Sequence, residues 1–152
     1  MLEWLRMRGI VAVALGVLVA LAIGLLVVFG IFAPVFTAFF GMEIAASIAV
    51  PTTMLVFAAA FSFYFGGMAA SYWAPSRRRL HGAAVAPAAF VVSPAINVIT
   101  GHGMFPGVAS AVTVALIALT LAVSVAAAYV GARRGEALYA YNRRAAHHRS
   151  PR

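Results

Sequence analysis

Cysteine and lysine are both absent from this chain of 152 residues, and only three residues are acidic. The lack of cysteine excludes disulfide bonds, thiolate catalysis, iron–sulfur clusters and cysteine-ligated zinc. Charged residues make up 9% of the chain and hydrophobic residues 64%, whereas a soluble domain is about 25% charged and about 45–50% apolar. A soluble fold of this size could not bury so much apolar surface. The composition therefore predicts a single domain whose solvent is lipid.

Four long apolar runs divide the chain. Each is close to the ~20 residues that a helix needs to cross ~30 Å of hydrocarbon. They are too long and too uniformly apolar for barrel strands, which alternate lipid-facing and lumen-facing residues. We therefore predict an all-α bundle of four transmembrane helices at 1–132, followed by a basic cytoplasmic tail at 133–152. The predicted spans are about 9–32, 44–73, 82–100 and 105–132.

The first apolar run follows Arg6 and Arg8, which resemble the positive start of a signal peptide. The run is longer than the ~7–15 apolar residues of a signal peptide, and no clear A-x-A cleavage site closes it. We therefore expect an uncleaved membrane anchor.

The arginines fall in three segments. Two precede the first span, three lie between the second and third spans, and six follow the fourth, whereas the loops at about 33–43 and 101–105 contain none. With four spans, all three segments lie on one side, which the positive-inside rule makes cytoplasmic. We therefore predict a bacterial-type inner (plasma) membrane protein with both termini in the cytoplasm. The arginines assigned to topology and to anionic lipid headgroups are Arg77, Arg78, Arg79, Arg133, Arg134, Arg143 and Arg144.

Small residues recur every four positions in the first two spans. Because lipid tails are as apolar as leucine, transmembrane helices associate through close packing of small residues rather than through hydrophobic burial. The spacing predicts helix-packing faces, either within one bundle or between copies of the chain. The residues assigned to these faces are Gly16, Ala20, Gly24, Ser62, Gly66 and Ala70.

Prolines lie in or near several spans. Pro34 and Pro106 are expected to mark outer helix ends. Pro87 and Pro94 both lie inside the third span, where each removes a backbone hydrogen bond. The third span is therefore either kinked or broken, and a broken helix is a feature of transporters.

Polar residues within the spans are few. Asn97, the only amide there, shares a helical face with Ser93 and Thr100, and this face could join helices by hydrogen bonds or line a small pore. Glu43 is expected at the outer end of the second span, either as an interfacial carboxylate near a helix N-terminus or paired with His102 as a proton or cation site. Asn97, Glu43 and His102 together form a candidate polar path.

Motifs that carry catalytic or cofactor chemistry are not found in the sequence. No pair of the four histidines has the four-residue spacing of a helical metal site. The chain contains no G-x-S-x-G, no P-loop and no dinucleotide fingerprint. We therefore expect no enzymatic activity, no metal and no cofactor. Nucleic-acid binding is not expected either, because the net charge of +8 comes with no folded basic motif.

The segment FGGMAASYWAPSRRRLHGA, at 65–83, resembles a pattern in small uncharacterised bacterial membrane proteins. In that pattern a Gly-Gly pair late in the second span is followed by small residues, a short basic loop and a His-Gly entry into the third span. The corresponding residues here are Gly66, Gly67, Arg77 to Arg79, His81 and Gly82. The resemblance implies a four-span protein without an assigned activity, and no functional residue is carried over.

The expected function is a non-enzymatic structural or accessory one. The small-residue faces and the scarcity of charge within the spans favour a chain that packs against itself as a homo-oligomer or within a larger membrane complex. Its other expected partners are anionic lipids on the cytoplasmic side. The alternative is a small transporter or channel subunit that uses the polar face of the third span.

Overall fold

Helices form all the regular structure in a computed structural model that describes residues 2–45, 49–99 and 111–149. The predicted all-α class is therefore confirmed for this part of the chain. The elements are α1 (Leu2–Leu25), a π-helical segment (Leu26–Phe32), α2 (Ala33–Ala45), α3 (Ala49–Trp73), α4 (Arg78–Ala83), α5 (Val85–Ile99) and α6 (Ala111–Arg149).

Three helical stretches within the described residues are long and apolar enough to cross a membrane. They are Met7–Phe39, Thr53–Trp73 and Val114–Ala146. They indicate a membrane protein with transmembrane helices. The third predicted span is not among them, because the 15 residues of α5 are only about 22 Å long, shorter than the ~30 Å of hydrocarbon.

The first helix is longer than the sequence suggested. Pro34 does not end it, and the predicted loop at 33–43 is helical to Ala45. The π-helical segment accounts for this difference. The Ala33 N–H donates to the Val28 carbonyl, five residues earlier, and this wider turn relieves the clash between a proline ring and the carbonyl four residues before it. The helix therefore passes through Pro34 without breaking.

Helices α1 and α3 run antiparallel, and so do α3 and α5. Gly16 lies against Gly66, while Gly24, further along α1, lies against Ser62, which comes earlier in α3. The rings of Phe63 in α3 and Phe90 in α5 have centroids 6.2 Å apart. The chain thus reverses direction twice from α1 to α5.

Helices α3 and α6 run parallel and form the most extensive interface of the bundle. Gly67 lies against Ala128, and four residues further along both helices the Ser71 hydroxyl donates to the Ala132 carbonyl at 2.8 Å. Beyond these, the rings of Tyr72 and Tyr139 meet edge to face with centroids 6.0 Å apart. Helix α6 therefore runs in the same direction as α3 and opposite to α1 and α5.

The helical segment at the position of the predicted third span begins earlier than predicted, at Arg78 rather than Gly82. It is interrupted at Ala84, which separates α4 from α5. Pro87 explains the interruption, because it has no N–H to donate to the carbonyl of Ala83, and its ring crowds that carbonyl. Pro94 lies inside α5 without breaking it.

One end of the bundle therefore contains the start of α1, the end of α3, all of α4 and the second half of α6. Arg8 lines a recess with Trp73, His81 packs against Gly9, and Arg79 pairs with Glu136. We call this the basic end, and its arginines are Arg8, Arg77, Arg78, Arg79, Arg133 and Arg134.

Candidate functional site

The predicted small-residue faces of the first two spans meet each other inside one chain. A Cβ added to Gly16 would lie 2.7 Å from the Gly66 carbonyl oxygen, and one added to Gly66 would lie 2.6 Å from the Gly16 carbonyl oxygen and 2.8 Å from the Ala20 Cβ. At Gly24 the nearest atom would be the Ser62 hydroxyl oxygen, at 3.2 Å. Because these residues are in contact within one chain, their faces are not available for contact between copies.

Val85 of α5 completes this packing. It is fully buried and forms a small core with Ala20 and Ala70. Its side chain also lies close to Gly16 and Gly66. One end of α5 is therefore held in the groove between α1 and α3.

A second small-residue face lies between α3 and α6. The spacing of small residues in the fourth predicted span had indicated Ser124 and Ala128 for packing, but the glycines of this face were missed. A Cβ added to Gly67 would lie 2.8 Å from backbone atoms of Ala128, and one added to Gly131 would lie 2.8 Å from the Tyr64 carbonyl carbon. Gly135 is packed in the same way against Met68. The signal was present, because Gly131 and Gly135 are four residues apart and next to an Ala128–Ala132 pair with the same spacing.

Gly82 was expected to let the third span begin, and its role is different. It is buried inside α4, and an added Cβ would lie 2.6 Å from the Gly67 carbonyl oxygen and close to Ala132. Gly82 therefore allows α4 to approach both α3 and α6.

The buried polar side chains of the described residues are three serines, Ser62, Ser71 and Ser124. The Ser62 hydroxyl donates to the Ala58 carbonyl at 2.6 Å, one turn earlier in its own helix. Ser71 donates across the interface to α6, as described above. The Ser124 hydroxyl has no hydrogen-bond partner in the described part of the chain. Two of the three serines thus satisfy backbone carbonyls, as polar groups in hydrocarbon must.

Arg78 is the most thoroughly bonded side chain of the basic end. Its Nη1 donates to the carbonyl of Ser71 at 3.1 Å and to that of Tyr72 at 2.6 Å. These carbonyls belong to the last turn of α3, where a helix leaves acceptors unpaired and its dipole favours a cation. The guanidinium also lies over the Tyr139 ring, 3.4 Å from its centroid, in a cation–π arrangement.

Two further contacts join α6 to the basic end. Arg79 forms an ion pair with Glu136, and the hydrogen bond and charge of that carboxylate raise the pKa of Arg79 above its ordinary value. The Asn142 amide donates to the Tyr72 hydroxyl at 3.1 Å. Arg78 and Arg79, which were assigned to lipid headgroups, therefore make contacts within the protein.

The other arginines that were assigned to topology and lipid headgroups are exposed. Arg77 precedes α4 with φ of 40°, the one non-glycine residue with a positive φ in the described chain. The side chains of Arg133, Arg134, Arg143 and Arg144 are exposed along α6. Much of the predicted tail is therefore a helical continuation of the fourth span, as far as Arg149.

The candidate polar path is only partly within the described residues. Asn97 lies in α5, four residues after an exposed Ser93, and its side chain is outside the described part, as is all of His102. The backbone of Glu43 lies in the last turn of α2. The side chain of Glu43 lies outside the described part of the chain, so both predictions for Glu43 stay predictions. The described residues therefore do not test the candidate polar path, which stays a prediction.

The described geometry is that of an all-helical membrane protein whose charged side chains are concentrated at one end of a tightly packed bundle. Comparison with protein-family models, with curated proteins and with solved structures gave no match.

Proposed function

We propose that this chain is a non-enzymatic, four-span protein of the inner membrane that serves as a structural or accessory subunit of a larger membrane assembly or homo-oligomer. It has no nucleic-acid partner, and anionic lipids contact its exposed arginines. This proposal agrees with the resemblance of its central segment to small bacterial membrane proteins.

The observation that carries the proposal is the make-up of the bundle interior. The sequence contains no Asp, Glu, Lys or Arg at 44–76 or at 80–132. Ionisable groups inside a membrane usually mark substrate or proton paths. Here the described interior holds glycines, alanines and serines in backbone contact. Such an interior favours a rigid scaffold over a conduit.

Four crossings follow from the helix directions if α3 and α6 both cross the bilayer. Because these two helices are parallel, the chain must cross back to the opposite face of the membrane between them. Helices α4 and α5 together run from Arg78 to Ile99, about 33 Å, which is enough for ~30 Å of hydrocarbon. The positive-inside rule then puts the basic end, and both termini, in the cytoplasm.

The absence of cysteine makes this topology testable by labelling single introduced cysteines. Ser76→Cys and Asn142→Cys lie at the basic end, and Phe39→Cys lies towards the other end and is 79% exposed. We expect a membrane-impermeant maleimide to label Phe39→Cys in intact cells, and the other two only after the cells are opened. Labelling of Ser76→Cys in intact cells would contradict the orientation. Labelling of Ser76→Cys and Asn142→Cys from opposite sides would contradict the four crossings.

The accessory role is tested by photo-crosslinking from the outer faces of the helices. Leu21, Phe61 and Leu119 are 53%, 44% and 52% exposed, whereas Ala128 is fully buried and provides the matched control. We expect a crosslinker at one or more of the three exposed positions to capture a second protein or a second copy in cells, and one at Ala128 to capture neither. Purification as a monomer in mild detergent, with no protein adduct from the exposed positions, would contradict the proposal.

The same protein in liposomes tests the transporter alternative. That alternative would replace the accessory role if the wild-type protein carries solute or ion flux and Asn97→Ala abolishes it. An absence of flux in the wild-type protein would remove the alternative.

A further inference from the structure

A cleft of about 1010 Å³ lies between α1 on one side and α4 and α5 on the other. Small-molecule pockets are about 300–1,000 Å³, so this cleft is large for the size of the bundle. Its walls are apolar and include Val13, Val17 and Leu21 of α1 and Val92 of α5. Leu21 is 53% exposed and Val92 is 46% exposed, so the cleft is open to the surroundings of the bundle.

The length of the cleft corresponds to one leaflet of a bilayer. Its lining extends from Gly9 to Leu21 along α1, and from His81 in α4 to Val92 in α5. At 1.5 Å per residue these distances are about 18 Å and about 17 Å. Half of the ~30 Å hydrocarbon thickness is ~15 Å. One end of the cleft lies at the basic end, and its other end is near the depth expected for the bilayer midplane.

The polar groups of the cleft are at its basic end. The His81 ring lines the cleft against Gly9, and its Nδ1 lies 3.2 Å from the Arg77 carbonyl oxygen. Because a carbonyl only accepts, Nδ1 carries the hydrogen in this bond, and Nε2 is the ring nitrogen on the side of Gly9. Arg77 precedes His81 by four residues and is exposed. Its left-handed backbone conformation, with φ of 40°, is a strained one of the kind often found at functional sites.

We propose that this cleft binds one anionic phospholipid, with its acyl chains between α1 and α5 and its phosphate held by Arg77 at the basic end. Valine and leucine walls do not allow the close backbone approach by which transmembrane helices associate, whereas flexible acyl chains fill an irregular apolar groove. The positive charge of the basic end selects an anionic headgroup. The proposal goes beyond the accessory role, which needs no bound lipid.

The experiment is native mass spectrometry of the detergent-purified full chain, titrated with phosphatidylglycerol or with phosphatidylcholine. We expect one phosphatidylglycerol to bind in preference to phosphatidylcholine. Arg77→Gln should weaken phosphatidylglycerol binding about fivefold, the effect expected of one arginine near lipid phosphates. Arg143→Gln is the matched control, because Arg143 is exposed on α6 and does not line the cleft. We assign it to the surrounding lipid, so its loss should change the affinity of the single cleft lipid less than twofold.

A second pair of variants tests the cleft itself. Ala14 lines the cleft, and Ala22 is exposed on the same helix but does not line it. We expect Ala14→Phe to remove the bound lipid and Ala22→Phe to retain it. Equal binding of the two lipids, equal effects of the two arginine variants, or retention of the lipid by Ala14→Phe would each overturn the proposal. A dimer that is lost in Ala14→Phe would also overturn it, because the occupant would then be a second copy. None of these results depends on whether the chain has a protein partner.

Discussion

Replacing Gly67 with alanine would add one methyl group at the centre of the interface between α3 and α6. The new Cβ would lie 2.8 Å from both the Cα and the carbonyl carbon of Ala128, and it would overlap the carbonyl oxygen. Real Cβ atoms essentially never approach other atoms closer than 3.0 Å. Because the neighbouring atoms are backbone, no side-chain rotation relieves the overlap, and the two helices must move apart.

The expected loss of stability follows from three contributions. Overpacking of a tightly packed core costs about 1–3 kcal/mol. Separation of the helices also lengthens the 2.8 Å hydrogen bond from Ser71 to Ala132, and an interhelical bond of this kind in a membrane is worth about 0.6 kcal/mol. Alanine recovers about 1 kcal/mol through its higher helix propensity than glycine. We therefore expect Gly67→Ala to be less stable by about 0.6–2.6 kcal/mol.

Gly24→Ala is the matched control for this prediction. Its added Cβ would meet only the Ser62 side chain, with the hydroxyl oxygen at 3.2 Å and the Cβ at 3.8 Å. The gain in helix propensity of up to ~1 kcal/mol is therefore largely retained. Unfolding of both variants in mixed micelles of mild detergent and dodecyl sulfate, followed by circular dichroism, measures the difference. If Gly67→Ala is as stable as Gly24→Ala, the reasoning from backbone contact is refuted.

Three further variants test other contacts by the same unfolding measurement or by labelling. Arg78→Gln should lower the free energy of unfolding by about 1–3 kcal/mol, because charged hydrogen bonds to carbonyls are lost. Arg143→Gln is the control and should stay within about 0.5 kcal/mol of the wild-type protein. Equal stabilities of the two variants would contradict the role of Arg78 in capping α3. Ser124→Ala should keep or raise stability, because an unpaired buried hydroxyl costs about 1–3 kcal/mol, and a clear loss would indicate a hydrogen-bond partner. Pro87→Ala should restore the missing backbone hydrogen bond and straighten the helix at Ala84. Spin labels on α4 and α5 would then be further apart than in the wild-type protein. An unchanged distance would show that packing alone sets the bend.

Composition and run length were sufficient to predict the helical class and the lipid surroundings, because both depend on totals along the chain. Helix ends were harder to predict. Pro34 was expected to end a helix, since proline blocks the α-helical hydrogen bond. A π-helical turn removed that constraint, and no simple sequence pattern marks such a turn. Helix α4 also begins before Gly82, at Arg78. The glycine allows close packing inside the helix and does not mark its start.

The four-residue spacing of small residues indicated which faces of the first two predicted spans would pack against a helix. It did not indicate which helix each face would contact. The contact between Gly16 and Gly66 depends on α1 and α3 being neighbours, which is a property of the whole fold. Gly67 and Gly131 were overlooked for packing because each is flanked by a more regular row of alanines and serines. The ion pair between Arg79 and Glu136 joins residues 57 positions apart, beyond the reach of any local pattern.

The parallel pairing of α3 and α6 also has a consequence for how the protein is made. Residues in this interface are far apart along the chain, as the 61 positions between Ser71 and Ala132 show. During synthesis α1 and α3 are made first and can pair as a hairpin. The face of α3 around Gly67 stays unpaired until α6 has been translated. Completion of the last helix is therefore the step that closes the bundle, and a chain that stops before it leaves that face open to the lipid and to membrane proteases.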